Sequence, residues 1–435
     1  MSDYANSAKL YERAKLVMPG GNTRTTVYME PHPIYAERGD GCRMWDVDGN
    51  VYYDCINNFT SMIHGYSHPA VNAAVSAQLP FGTAFGAPTL SEIELAELLV
   101  GRLPSVDQIR FANSGTEGVM MAIKAARAFT GRPKIVKIEG AYHGSYDYSE
   151  VSLDSSPANW GDMPASTAYA RGTPAGVLDD VLVVPFNDAE ALEAVFKVHG
   201  EEIAGVLIDP MPNRAGLIPA RRDYLEAAVA VAHRAGALVI FDEVISFRLG
   251  YEGAQGLWDI KPDLTVLGKI IGGGFPVGAV AGRADVMAVF DPSKGKPALP
   301  HGGTFTANPV TMRAGLASMQ ALTRDSFVHL DKIGDTLRSG INASLARHGV
   351  TGACVGLGSL FKVHFTANPV TDYRSVYPGP RERKMLDVFH KGCLKRGVLA
   401  ASYGLFALST PMTDADAGNI LAAIDDTLAE VAGIA

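Results

Sequence analysis

Two continuous apolar segments of this chain each lead into one ionisable residue. Residues 238–241 (Leu-Val-Ile-Phe) precede Asp242, and residues 264–268 (Leu-Thr-Val-Leu-Gly) precede Lys269. Each segment has the composition of a buried β-strand, and an unpaired charge in such surroundings costs free energy. An acid and an amine at these positions therefore call for a chemical explanation.

A carboxylate and a lysine at the carboxyl ends of two strands suit a site for pyridoxal phosphate. A lysine forms a Schiff base with the aldehyde of this cofactor, and a carboxylate keeps its pyridine nitrogen protonated. The alternatives are a surface lysine and a turn or helix-capping aspartate. The apolar strand ahead of Asp242 and the three glycines at 272–274 favour the cofactor site, because glycines let a loop follow a ligand. The neighbouring Glu243 points elsewhere in an extended chain and is interpreted as structural.

Residues 113–117 (Asn-Ser-Gly-Thr-Glu) form a candidate phosphate-binding turn. They follow a predicted strand at 108–112 and precede a predicted helix at 118–129. Small and hydroxylic residues at such a turn expose backbone N–H groups and the positive end of the helix dipole. A simple helix cap is the alternative, since serine and threonine favour that position in any helix.

Two other turns carry residues that a flat, phosphorylated cofactor needs. In residues 141–144 (Ala-Tyr-His-Gly), the Tyr142 ring can stack on a pyridine ring, although ordinary packing is the alternative. His143 is interpreted as a weaker candidate, because it can also be a structural histidine. In residues 302–309, Thr304 is either a second phosphate contact or part of a capping loop.

Alternating helices and strands from about 90 to 290 predict an α/β fold with a mainly parallel sheet of seven strands between helices. The predicted strands are 108–112, 134–138, 181–185, 203–208, 237–241, 264–267 and 278–282. Ligands of such sheets collect at the carboxyl ends of the strands. Outside this region the patterns predict helices at 7–18, from 310 and at 416–431, and strands at 33–37, 43–46, 51–55, 356–365 and 406–410.

The element pattern predicts a large domain at 63–325 and a smaller α+β domain built from residues 1–62 and 326–435. A single compact core does not extend over 435 residues, which also favours two domains. Residues 145–176 have no clear periodicity and many small residues and prolines. Long irregular insertions are usually functional or disordered, and this one is interpreted as an active-site lid.

The composition excludes several classes of partner. The net charge is −8, with acids and bases interspersed, so neither a nucleic-acid track nor a polybasic membrane patch is expected. No signal peptide or membrane span is apparent, and a cytoplasmic protein is expected. Four scattered cysteines lack metal-ligand spacing and are interpreted as buried thiols, so no metal site is predicted.

On these motifs the chain resembles the class III aminotransferases of fold type I, from near residue 10 to the C-terminus. The resemblance is carried by residues 113–117, 142–144 (Tyr-His-Gly), 241–244 (Phe-Asp-Glu-Val), 268–274 (Gly-Lys-Ile-Ile-Gly-Gly-Gly) and 303–305 (Gly-Thr-Phe). Within the class it is most similar to the branch of glutamate-1-semialdehyde aminomutase and the β-amino-acid transaminases. Residues 18–22 (Met-Pro-Gly-Gly-Asn) and 65–69 (Gly-Tyr-Ser-His-Pro) also resemble that branch.

The resemblance implies a homodimer with two active sites at the subunit interface and a role for each motif. Lys269 is then the Schiff-base lysine and proton carrier, and Asp242 pairs with the pyridinium. The phosphate is held by Ser114, Gly115 and Thr116, the ring stacks on Tyr142, and Thr304 reaches the phosphate of the neighbouring subunit's cofactor.

Two departures from the family pattern concern the substrate. Residues 209–214 read Asp-Pro-Met-Pro-Asn-Arg where relatives often have Glu-Pro, so either Asn213 or Arg214 is expected near the cofactor's hydroxyl. Residues 401–405 lack the arginine that often binds an α-carboxylate, and Tyr403 is expected to line the substrate pocket instead. Arg24 lies where β-amino-acid transaminases have a carboxylate-binding arginine, and the alternative is a solvated surface charge.

The function predicted from these features is a ping-pong transfer of an amino group from an amine or amino acid to an oxo acid. A β-amino acid is the favoured donor. The alternatives are an aminomutase, which moves the amino group within one substrate under a lid, and a racemase or decarboxylase on the same scaffold. A non-catalytic binding protein is disfavoured by the intact Lys269 and Asp242.

Overall fold

The computed structural model describes residues 4–434 of the chain. Its largest sheet has seven strands, as predicted. Across the sheet they are Gln108–Ala112, Gly278–Gly282, Leu264–Gly268, Leu238–Asp242, Ile203–Ile208, Lys134–Ile138 and Val181–Val184. Only Gly278–Gly282 runs antiparallel to its neighbours. Each strand agrees with its predicted bounds to within one residue.

Helices cover both faces of this sheet, which explains why several of its strands are apolar without alternation. Val239 and Phe241 pack in one buried cluster with the helices Ala189–His199 and Arg222–Arg234. The alternate residues of the same strand pack in a second cluster with the helix Gly115–Thr130. The mainly parallel α/β fold is therefore confirmed.

Two smaller sheets lie outside the large one, and the four-stranded sheet of the two combines strands from both ends of the chain. The four-stranded sheet contains Ala36–Asp40, Arg43–Asp46, Val51–Asp54 and Val398–Leu399, and the three-stranded sheet contains Ala353–Leu357, Leu360–His364 and Leu405–Ala407. Val398–Leu399 pairs in parallel with Val51–Asp54, so N-terminal and C-terminal segments share one sheet. The boundaries at 62/63 and 325/326 stay predictions.

Several boundaries outside the large sheet were predicted wrongly. The single strand expected at 356–365 is a hairpin, because Gly358 has φ +58° and reverses the chain between Ala353–Leu357 and Leu360–His364. The strand expected at 33–37 is Ala36–Asp40, whose register is set by pairing with Arg43–Asp46. The first helix is Ala5–Lys15.

The longest helix of the described residues is Arg324–Arg347, with 24 residues. The α-helical segments are Ala5–Lys15, Pro69–Gln78, Leu90–Arg102, Gly115–Thr130, Asp147–Glu150, Ala175–Asp179, Ala189–His199, Arg222–Arg234, Gly253–Trp258, Ala284–Met287, Pro309–Ala321, Arg324–Arg347, Pro380–Lys395 and Asp414–Ala432. Within residues 4–434, none of them has the length and apolar character needed to cross a membrane.

Candidate active site

A cavity of about 360 Å³ opens at the carboxyl ends of the parallel strands. Most of the predicted site residues line it together, although they come from distant parts of the sequence. The lining includes Arg24, Ser114, Gly115, Thr116, Tyr142, Asp242 and Lys269. It also includes residues that sequence reasoning did not select, among them Asn58, Ser61 and Asp209.

Asp242 is buried at the end of its strand and is held by two hydrogen bonds. One carboxylate oxygen accepts a hydrogen bond from the Val244 N–H at 3.0 Å, and the other accepts one from Nδ1 of His143 at 2.7 Å. Burial lowers the pKa of His143, while the carboxylate beside it opposes that effect. His143 therefore orients Asp242, a role that the sequence did not reveal because the strands Lys134–Ile138 and Leu238–Asp242 are not adjacent.

Lys269 follows directly after its strand with a left-handed backbone, φ +51°. Burial lowers the pKa of its ammonium group to about 8, and the carboxylates of Asp242 and Asp209 oppose the shift. Among residues 4–434, no side chain or carbonyl accepts a hydrogen bond from its Nζ. An amine that is partly neutral at physiological pH and has no partner is suited to attack an aldehyde.

Two other lysines are buried more completely than Lys269. They show that burial and a lowered pKa alone do not identify the reactive lysine. Burial lowers the pKa of Lys137 and of Lys362 to about 7. However, Nζ of Lys137 donates to carbonyl oxygens of Ala141 and Val151 at 3.1 and 2.7 Å, and Nζ of Lys362 donates to a carbonyl at 3.0 Å. Neither lines the cavity, so position and not pKa distinguishes Lys269.

The turn 113–117 combines a helix cap with a set of free backbone donors. Ser114 caps the helix Gly115–Thr130, since its hydroxyl accepts the Glu117 N–H at 3.2 Å. The amides of Gly115 and Thr116 at the helix N-terminus have no helical acceptor, and this is where an anion binds well. The predicted cap and the predicted phosphate cradle are therefore compatible with each other.

Glycines allow the phosphate turn to lie close to the sheet and to the neighbouring turn. A Cβ atom on Gly278 would lie 1.8 Å from the Ser114 carbonyl oxygen, so the turn packs directly on the strand Gly278–Gly282. Gly144 has φ +85°, and a Cβ atom there would lie 2.4 Å from the Thr116 hydroxyl. These contacts hold Tyr142 at the cavity wall, where 45% of its surface is exposed, as expected for a ring that faces a ligand.

Residues 57–60 (Asn-Asn-Phe-Thr) form a left-handed turn at the cavity mouth. Their φ angles are +51°, +46°, +54° and +75°. Consecutive non-glycine residues rarely adopt this conformation, and strained backbone of this kind concentrates at functional sites. The Asn58 carboxamide accepts a hydrogen bond from Nη1 of Arg24 at 2.8 Å, and the Phe59 ring lies 5.5 Å from the guanidinium.

Residues 209–214 depart from the family pattern, and the structure shows which of them reaches the cavity. Burial, together with the charge of Asp242, raises the pKa of Asp209 to about 8, and its side-chain oxygen Oδ1 accepts the Met211 N–H at 2.9 Å. Arg214 pairs with Asp154 at 2.8 Å, and neither it nor Asn213 lines the cavity. The residue of this segment that reaches the cavity is Asp209, which the sequence did not single out.

Tyr403 and Thr304 lie outside the lining of this cavity. The Tyr403 hydroxyl accepts a hydrogen bond from the Asn213 side chain at 3.4 Å, and its role in substrate binding stays a prediction. Thr304 lines a second cavity of about 270 Å³ together with Phe85. Its predicted contact with a neighbouring subunit's cofactor also stays a prediction.

Comparison with known proteins decides the family. Residues 26–428 match the sequence profile of the family described as aminotransferase class III. The chain belongs to this family. It is therefore a pyridoxal-phosphate-dependent enzyme of the transaminase type, as the resemblance implied.

The relatives of this chain within the class III aminotransferases are named for different reactions. The chain is 37% identical to glutamate-1-semialdehyde 2,1-aminomutase of Bacillus subtilis, over 99% of both chains. It is 49% identical to an omega-transaminase from Sphaerobacter thermophilus, with a TM-score of 0.95 over 98% of this chain and 97% of that one. It is 38% identical to a beta-phenylalanine aminotransferase from Variovorax paradoxus, with a TM-score of 0.86 over 97% and 93%.

The residues of this class III aminotransferase fit pyridoxal phosphate. The unpartnered Lys269 amine suits the aldehyde, and the free amides of Gly115 and Thr116 suit the phosphate. Asp242 lines the same cavity as an anion for the ring nitrogen, and the half-exposed Tyr142 ring offers an apolar face. When bound, the cofactor supplies an electron-withdrawing ring that stabilises negative charge on the substrate carbon.

The pKa of Lys269 predicts how the cofactor-free enzyme reacts with pyridoxal phosphate. Burial disfavours the ammonium form, so the reactive amine fraction rises from about one-tenth at pH 7 to about nine-tenths at pH 9. The rate of absorbance change on mixing should rise about tenfold over that interval and then level off. A Lys269→Ala variant corrects for surface lysines, and a rate that keeps rising towards pH 10.5 would contradict the lowered pKa.

Proposed function

We propose that this enzyme transfers the amino group of a β-amino acid to an oxo acid in a ping-pong reaction. The observation that carries the proposal is Arg24, a cation at the mouth of the cavity that contains Lys269. The site needs a cation for a substrate carboxylate. The family's C-terminal arginine is absent from residues 401–405, so Arg24 is the candidate for that contact.

The environment of Arg24 leaves its charge available. The one hydrogen bond of its guanidinium among residues 4–434 is to the neutral Asn58 amide at 2.8 Å, and no carboxylate of the described chain pairs with it. A guanidinium has five N–H donors in a planar fork, which fits the two oxygens of a carboxylate. The beta-phenylalanine aminotransferase among the structural relatives supports a β-amino acid as the donor.

In the proposed reaction, each of the residues around the cavity has a separate role. Lys269 removes a proton from the substrate carbon that carries the amino group and returns a proton during product formation. Asp242 holds a proton at the cofactor's ring nitrogen, and His143 keeps the carboxylate oriented through its Nδ1 hydrogen bond. Tyr142 would pack against the cofactor ring, and Arg24 would orient the substrate through its carboxylate.

The test is replacement of Arg24 by alanine with two matched donors. The KM for 3-amino-3-phenylpropanoate should rise about 10- to 100-fold, because a charge-assisted contact is lost. The KM for 1-phenylpropylamine, which has a methyl group in place of the carboxylate, should change by less than about twofold. Arg381→Ala, an exposed arginine away from the cavity, serves as the control. Equal KM values for wild type and Arg24→Ala with the carboxylated donor would reject the role.

A second candidate function is an aminomutase, favoured by curated relatives with that name at 37–40% identity. Such an enzyme moves the amino group within one molecule and needs no separate acceptor. The distinguishing measurement is turnover of a donor with and without added 2-oxoglutarate or pyruvate. Strict dependence on the oxo acid supports the transaminase, and equal turnover without it supports the aminomutase.

We also propose that the enzyme is a homodimer that completes its sites at the interface. Apolar side chains are exposed on the adjacent segments 79–93 and 304–309, where Phe81 is 78% exposed and Phe305 is 62% exposed. Thr304 lies beside them at the second cavity. Exposed apolar patches of this kind mark protein interfaces. Sedimentation should give twice the mass of the chain, and Thr304→Ala should weaken retention of pyridoxal phosphate.

A further inference from the structure

The left-handed turn 57–60 is held in place by contacts with distant parts of the chain. Asp54 accepts the Asn57 N–H at 2.8 Å, and the Asn57 side chain donates to the Ala407 carbonyl. The fully buried guanidinium of Arg248 donates to the Thr60 carbonyl at 3.0 Å. A strained conformation persists only where its surroundings fix it in this way, so the turn has a defined position relative to the cavity.

This turn holds the Asn58 amide in one orientation. The Ser61 hydroxyl donates to the backbone carbonyl oxygen of Asn58 at 3.0 Å. The same hydroxyl oxygen accepts a hydrogen bond from the side-chain Nδ2 of Asn58 at 3.1 Å. Nδ2 is therefore engaged, and Oδ1 is the atom that faces Arg24. The Phe59 ring lies beneath the guanidinium, so the turn contacts Arg24 through both an amide oxygen and an aromatic face.

The acceptor that Asn58 offers to the Arg24 guanidinium is a neutral amide oxygen. It fixes the direction of the group without neutralising its charge, whereas a carboxylate at position 58 would do both. One of the five N–H donors of Arg24 is used by Asn58, and the others remain for a ligand. An oriented and still unneutralised cation at the cavity mouth is the form that binds an incoming carboxylate best.

We propose that Asn58 is a positioning residue that orients Arg24 and thereby sets the preference of the enzyme for carboxylated amino donors. This inference rests on the proposed function, in which Arg24 binds the substrate carboxylate. It adds a residue that acts through Arg24, and it explains why the turn adopts an unfavourable backbone conformation at this place.

The experiment compares Asn58→Gly and Asn58→Asp with the wild-type holoenzyme. Glycine keeps the left-handed backbone accessible and removes only the amide, so the KM for 3-amino-3-phenylpropanoate should rise about 3- to 10-fold. Aspartate neutralises Arg24, and the rise should be larger, at about 10-fold or more. With 1-phenylpropylamine both variants should stay within about twofold of wild type, and kcat should change little with either donor.

The control is Asn187→Gly, which changes another left-handed asparagine. Asn187 has φ +61°, and its side-chain oxygen accepts the Arg221 N–H at 2.8 Å. It does not line the cavity. This variant should leave both KM values unchanged, so an effect seen only at position 58 is not a general effect of removing such a residue.

A double variant separates positioning from a purely structural role. If Asn58 acts through Arg24, then Asn58→Gly should have no further effect on the KM in an Arg24→Ala background. Full additivity of the two changes would overturn the inference. So would an unchanged KM in Asn58→Gly while Arg24→Ala alone raises it, whereas an unchanged KM in Arg24→Ala would reject the proposed function itself.

Discussion

Replacement of Lys269 by alanine is expected to lower kcat by about 1000-fold or more. Lys269 is the only one of three buried lysines with a lowered pKa that lines the cavity within residues 4–434. In the proposed reaction its amine would both bond to the cofactor and move the proton of the substrate, and loss of an acid–base group alone lowers rates by about 10² to 10⁴. Rates of product formation under saturating cofactor measure the effect.

The control for this variant is Lys261→Ala, which changes an exposed lysine before the same strand. Circular dichroism and thermal unfolding should show that both variants are folded, so that loss of activity is not loss of structure. Lys269→Ala with more than about one-tenth of wild-type kcat would show that another group moves the proton.

Replacement of Asp242 by asparagine is expected to lower kcat by about 100- to 1000-fold. The amide has nearly the same shape as the carboxylate, but it carries no charge to hold a proton at the ring nitrogen. A preorganised charge in a buried site typically contributes this much to the rate. The change also replaces the acceptor of the His143 Nδ1 hydrogen bond at 2.7 Å.

Asp259→Asn is the matched control, because this exposed aspartate has a left-handed backbone that asparagine also tolerates. Absorbance should show that Asp242→Asn still contains cofactor, so the loss appears in kcat and not in cofactor content. A variant that keeps more than about half of the wild-type kcat would refute the electrostatic role of Asp242.

The sequence predicted the elements that carry the candidate cofactor site because their signals are local. Several parallel strands are continuous apolar runs, and Asp242 and Lys269 follow such runs directly, so their positions at one edge of the sheet could be inferred. The turn 113–117 was recognised for the same reason. The hairpin within 353–364 was missed, since a single glycine at 358 reverses the direction of a segment that otherwise has the composition of one strand.

Other features of the site depend on contacts between residues that are distant in the sequence. His143 reaches Asp242 because turns after two non-adjacent strands meet at the sheet edge, and no local pattern indicates that pairing. The left-handed turn at 57–60 is imposed by Arg248 and other distant residues, although its two asparagines were a weak signal. The roles assigned to the site residues stay predictions, and within residues 4–434 Tyr403 and Thr304 do not line the Lys269 cavity.

Reduction of the purified holoenzyme with borohydride tests most directly whether Lys269 holds the cofactor. After digestion, mass spectrometry should find the reduced pyridoxal phosphate adduct on the peptide containing Lys269 and on no other lysine. An adduct on Lys137 or Lys362, whose pKa values are lowered to about 7, would contradict the proposed site, as would an unmodified Lys269.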